Sequence, residues 1–176
     1  MAVTANNDTR NIRLGTCRVT YAGVDLGLTI GGVELTVDTS THETKVDQFG
    51  ETVVDEIITG RNIKAKVPLA ETTLDNLVKI MPGATLVEET GKKRVEVTTG
   101  VGVSLLSLAQ ELRLHPISLA DSDKSEDVVI YKAATPGSMN FAYKLDQERV
   151  YNTEFKGYPD PATGKLFYVG NDPTKK

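Results

Sequence analysis

The chain is expected to fold as a mainly-β domain, a β-sandwich or partly open barrel, with one flanking α-helix near residues 72–81. Three observations predict this. Apolar and polar residues alternate with period two along much of the chain, as in Val33-Glu34-Leu35-Thr36-Val37-Asp38, and that period sends successive side chains to opposite faces of a strand. Gly and Pro punctuate the alternating runs at short intervals, where reversals and bends are made. One segment departs from the pattern: Leu74, Leu77, Val78 and Met81 recur at the i, i+3, i+4, i+7 spacing of an amphipathic helix.

Taken in order, Ile12 to Tyr21 alternates loosely and Val24 to Ile30 reads as a short strand. Gly31-Gly32 suits a two-residue hairpin turn, because glycine takes positive φ without Cβ strain. The strand that follows, Val33 to Asp38, has apolar odd positions and polar even ones, so one face is buried and the other meets water or a partner. Thr39 to Gly50 is polar and reads as a long connection or a strand pair reaching beyond the core. Thr52 to Thr59 resumes β character, Gly60 marks a bend or bulge, and Ile63, Ala65, Val67 and Leu69 then share one face. Thr72 or Thr73 can cap the helix and Pro82-Gly83 stops it. Thr85 to Val87 and Lys93 to Val97 form a hairpin turning near Gly91. Ser104 to Leu112 fits a helix or a strand, and Leu112 to Pro116 ends it as a strand. Asp121 to Asp127 reads as a solvated acidic loop. Val128 to Tyr131, Phe141 to Leu145, Val150 to Phe155 and Leu166 to Val169 complete about ten short strands, the last two joined by a Pro- and Gly-rich reversal over Tyr158 to Gly164. With no internal repeat, low-complexity tract or linker, residues 1–176 are expected to form a single domain with a flexible N-terminus over about residues 1–10 and an extended loop at about 39–54.

Composition narrows the function. Of the 176 residues 39% are hydrophobic and 25% charged, with a net charge of −4. The acidic balance, pI about 5.3, offers no large basic face to neutralise phosphates, so tight nucleic-acid binding is not expected. The single cysteine, Cys17, cannot form an internal disulfide, which fits a reducing cytosol. Met1 to Arg10 is polar and does not read as a secretory signal. The longest apolar stretch, Val101 to Ala109, is too short to cross a bilayer.

No catalytic constellation is legible. His42 and His115 lack Cys or acid neighbours at zinc spacing, and Cys17 reads as a small buried hydrophobe. Gly91-Lys92-Lys93-Arg94 lacks the spacing and following Ser or Thr of a phosphate loop. Gly100-Val101-Gly102 lacks the third glycine of a dinucleotide fingerprint. Asp121-Ser122-Asp123-Lys124-Ser125 opens like a calcium loop, but Glu126 stands where glycine is required and Lys132 where the bidentate Glu belongs. Asp55 and Glu56 point to opposite faces of a strand, a poor geometry for an acid–base pair. No catalytic residue, cofactor or metal site is therefore expected, and the chain reads as an assembly or binding module, not an enzyme.

The order of features carries a resemblance. Asp25-Leu26-Gly27-Leu28-Thr29 leads through Gly31-Gly32-Val33-Glu34-Leu35 into a polar extension ending Asp47-Gln48-Phe49-Gly50. A second β arm, the segment Leu69 to Leu77, and late strands ending Leu166-Phe167-Tyr168-Val169-Gly170-Asn171-Asp172 follow. From about Tyr21 onward this resembles the tail tube (major tail) proteins of long-tailed, non-contractile bacteriophages. The resemblance implies a structural virion protein that polymerises into stacked, six-fold rings, a conduit for genome delivery. It implies assembly in the host cytoplasm and residence in the virion tail, with further copies of the chain, a tape-measure protein and a tail terminator as partners, DNA passing without specific binding, and no membrane insertion. It makes Thr41, His42, Glu43, Lys45, Asp47, Gln48 and Phe49 candidates for the inter-ring stacking loop. Glu34, Thr36 and Asp38, the polar face of their strand, are candidates for the lumen wall. A ring-forming tail-completion or secretion-tube subunit is the alternative. A ligand-binding β-sandwich is a third, although 6% aromatic residues with no Trp offer few platforms for one.

Overall fold

The computed structural model describes residues 12–140 and 142–173, so the expectation for residues 1–10 lies outside the described residues. The fold is mainly β, with ten strands among the described residues: β1 (Cys17–Tyr21), β2 (Val24–Asp25), β3 (Glu34–Lys45), β4 (Val53–Leu69), β5 (Ala84–Glu89), β6 (Lys92–Val97), β7 (Gln110–Pro116), β8 (Val128–Ala134), β9 (Tyr151–Tyr158) and β10 (Phe167–Val169). Two helices, α1 (Leu74–Ile80) and α2 (Leu105–Leu108), join them. Eight strands form one antiparallel sheet in the order β2-β1-β7-β8-β9-β4-β3, with β10 on β8, while β5 and β6 pair as a separate hairpin.

The large sheet curls until its ends meet at one corner. Thr29 bridges Leu69, the Ile30 amide donates to the Pro68 carbonyl at 3.1 Å, and the Ala70 amide donates to the Leu28 carbonyl at 2.8 Å. The segment after β2 thus crosses from β1 to β4 and shuts the barrel there. Farther along, β1 and β3 have no ladder between them, and the barrel stays open along a seam. Of the two architectures expected, the partly open barrel is the one formed.

The alternation explains the interior. Ile63, Ala65, Val67 and Leu69 are buried on the inner face of β4 and meet Phe155, Tyr151, Leu112, Leu114, Ile130, Val19 and Tyr21 from the other strands. Burying these side chains supplies the main driving force for the fold, about 1.5–3 kcal/mol for each large one. The Tyr21 hydroxyl donates to the Ala133 carbonyl at 3.1 Å, so its polar end is satisfied inside the core. Gly157 is required by space: a Cβ there would clash with Ile63 Cγ2.

Several expectations need correction. Gly31 and Gly32 do take positive φ, at 89° and 86°, but they do not reverse the chain. Thr29 pairs with Leu69 and Glu34 with Lys66, so both sides of the glycines run along the same edge of β4. Five steps on one strand match three on the other, which makes the glycines an interruption in one pairing. The strand expected over Val24 to Ile30 is accordingly only two residues long, and residues 12–16 precede β1 outside any strand. Residues 142–145 are not a strand; Tyr143 and Leu145 are exposed, so their alternation has no sheet to face. Gly60 does lie at a bulge, because Ser40 pairs with Gly60 and Thr41 with Ile58. Thr73 caps α1, accepting from the Asn76 amide. The buried face of α1 carries Asn76 and Ile80, with Leu74 exposed. Asn76 is buried because its Nδ2 donates to the carbonyls of Leu26 and Glu71 at 2.9 and 3.0 Å.

Candidate assembly surface

β3 and β4 continue well past the barrel as a two-stranded arm. The core-facing part of β4 ends at Ile63, yet pairing runs on from Asp38↔Asn62 to Lys45↔Val53. The tip is a 3₁₀ turn, Asp47–Phe49. Of the two readings of the polar stretch after Asp38, a long connection or a strand pair beyond the core, the strand pair is the one formed, so the extended loop expected at about 39–54 is a β arm. Thr41, His42, Glu43 and Lys45 lie on the distal half of β3 and Asp47, Gln48 and Phe49 in the turn, so the structure brings these candidates together, all exposed. The Thr41 hydroxyl donates to Glu56 at 2.6 Å, and Lys45 pairs with Glu51 at 3.0 Å; such exposed pairs contribute little to stability.

Three properties mark the arm as an interaction surface. It buries none of its residues from 41 to 59, although Phe49, Val53, Val54, Ile57 and Ile58 are exposed large apolar side chains. Among the described residues its outer strand, β3, pairs with β4 alone, and the free edge of this twelve-residue strand is a template for another strand. Glu43 stands directly opposite Glu56, a cross-strand like-charge pairing that costs stability in the isolated arm. Sequence reading missed the apolar side chains of the arm as a surface feature: Val53-Val54 and Ile57-Ile58 put apolar side chains on both faces of β4, and β character alone does not say whether either face is covered.

Glu34, Thr36 and Asp38 share the outward face of β3, as their even spacing predicts. Their cross-strand partners are Lys66, Lys64 and Asn62, and Glu154 and Lys156 follow on β9. Glu34 pairs with Lys66 at 3.3 Å, so this face balances acids with lysines and is not acidic.

Behind β7 lies a buried charged cluster. Asp127, which sequence reading placed in a solvated loop, is 1% exposed. Its Oδ1 lies 2.6 Å from His115 Nδ1, and its Oδ2 accepts from Arg113 Nη1 at 3.2 Å. The Asp127 carbonyl also accepts from the Gly170 amide at 2.8 Å. The acid therefore pins residues 117–127 and the end of β10 to the sheet. Among the described residues, no three His, Cys, Asp or Glu side chains are grouped to hold a metal ion. Burial pushes the Cys17 thiol above its ordinary range, outweighing a backbone hydrogen bond, which suits a small apolar side chain better than a nucleophile. No helix among the described residues is long and apolar enough to cross a membrane.

No protein-family model matches the chain, and no curated protein matches it.

Proposed function

We propose that the protein is a structural subunit that polymerises through its arm and sheet edge into rings stacked as a tube, in the manner of a phage tail tube. The observation that carries this reading is the arm itself: a long, exposed, partly apolar strand pair that adds nothing to its own core. A chain gains by keeping such a feature when another copy covers it. Contacts between unlike surfaces of identical copies close into rings or extend into filaments. In this reading the arm passes from one ring to the next, the virion tail is where the tube resides, and the tape-measure and terminator proteins are its assembly partners. Sedimentation across a wide range of protein concentrations tests the proposal. Small species at low concentration should give way cooperatively to very large ones above a threshold. A single monomeric boundary at every concentration and ionic strength refutes it.

A further inference from the structure

We propose that the open seam of the barrel is the socket that receives the arm tip of a second copy, with Phe49 as the inserted side chain. This rests on the self-assembly reading and adds the place where one copy holds another. The seam contains a cleft of about 330 Å³ lined by Leu14, Cys17, Val33, Leu35, Leu114 and Val128, among others. Cys17, Val33, Leu35 and Val128 pack directly against the buried core and are only partly covered, so among the described residues the cleft is an open extension of the barrel interior. Its size is at the lower end for sites that enclose a ligand group, and it suits one aromatic side chain.

Phe49 matches it in chemistry and is unused in its own subunit. It is 65% exposed on the turn that forms the arm tip, with Asp47 and Glu51 on either side. Charge selects the orientation of the contact. Residues 41–58 hold five acidic side chains and one lysine, while the rest of the chain holds nineteen acidic and nineteen basic ones. The arm thus carries the whole net charge of −4. Two arms repel each other, whereas an arm meets no net repulsion from a body. Arg13 lines the cleft and Arg18 follows Cys17 on β1. Both sit in surface ion pairs, Arg13 with Glu126 at 2.8 Å and Arg18 with Asp121 at 2.8 Å and Asp25 at 3.4 Å. Such pairs are worth at most about 1 kcal/mol, so exchanging partners with Asp47 and Glu51 costs little. Each copy carries one plug and one socket, so the contact propagates head to tail.

The native chain has one cysteine, Cys17, and it lines the socket. The variant Phe49→Cys places a second thiol at the plug. Assembled F49C, treated with a mild oxidant at about pH 8.5, where an ordinary thiol such as that introduced at position 49 is partly ionised and can attack, is run on a non-reducing gel. A disulfide needs the two Cβ atoms about 3.5–4.5 Å apart, so cross-linking reports insertion. The expected result is a ladder of dimers, trimers and higher species. The ladder should collapse to dimers at most in C17S/F49C. If F49C assembles poorly, Q48C keeps the phenyl ring, and the same ladder is expected. Phe49→Ala should raise the threshold concentration for assembly at least ~30-fold, the loss of a buried aromatic anchor. Val101→Ala, which trims an apolar side chain that is 91% exposed, should leave the threshold unchanged. Assemblies that form normally yet give no Cys17-dependent ladder overturn the socket and leave the self-assembly reading standing. A wild-type chain that never assembles defeats both.

Discussion

Replacing Thr41–Ile58 with a short Asn-Gly turn should leave a folded monomer that cannot assemble. Thr41 and Ile58 are cross-strand partners, so the cut removes both sides of the arm together and leaves the Ser40↔Gly60 pairing to close the hairpin. No residue in the excised segment is buried, and the core residues on β4 begin at Ile63. The loss of stability should therefore be small, about 1 kcal/mol or less. The segment carries the chain's whole net charge, and a neutral protein associates nonspecifically, so flanking the new turn with glutamates keeps the comparison clean. Circular dichroism should show a cooperative melt near that of the parent, and sedimentation a monomer at concentrations where the parent polymerises. Polymerisation at the parental threshold would place the assembly contact elsewhere.

Asp127→Ala should be the most damaging single exchange of a polar side chain. It strands His115 and Arg113 beside an empty site, and removing one partner of a buried charge pair costs about 3–5 kcal/mol. For a chain of this size the melting temperature should fall by on the order of 10 °C. Among the described residues His115 Nε2 is already buried without a hydrogen-bond partner, so none of them offers the imidazole an alternative acceptor. By contrast Asp121→Ala, which breaks an ion pair between side chains 44% and 76% exposed, should change stability by under ~1 kcal/mol. The comparison is made by thermal or denaturant melts of the two variants. Equal effects would mean that the Asp127 cluster does not anchor residues 117–127. Because Ser118 and Glu126 line the cleft at the seam, loss of the anchor should also weaken assembly.

Local chemistry explains which parts of this architecture are legible in the sequence. The inner face of β4 is readable because Ile63, Ala65, Val67 and Leu69 repeat with the period of a strand. The cap of α1 and the β5–β6 turn are readable too, since Thr73 and Thr90-Gly91 act on neighbours a few residues away; Thr90 and Gly91 take φ values of 48° and 75°. The arm candidates Thr41 to Phe49 come from the tail-tube resemblance; the residues themselves show only that 39–50 is polar. Long-range closure is not readable. Gly31-Gly32 has the wording of a hairpin turn, and only the return of Thr29 to Leu69, forty residues away, makes it an interruption. Asp127 looks solvated among acidic neighbours until the β7–β8 pairing brings His115 and Arg113 over it. Residues 142–145 alternate like a strand but find no edge. The seam, a property of how far a curled sheet closes, leaves no signature in any one segment.

The most direct test of the central claim is electron microscopy of the purified, concentrated protein. Hollow tubes built of stacked rings, absent once Thr41–Ile58 is replaced, are the predicted result. A field of separate particles at every concentration, or solid fibres without a lumen, would contradict it.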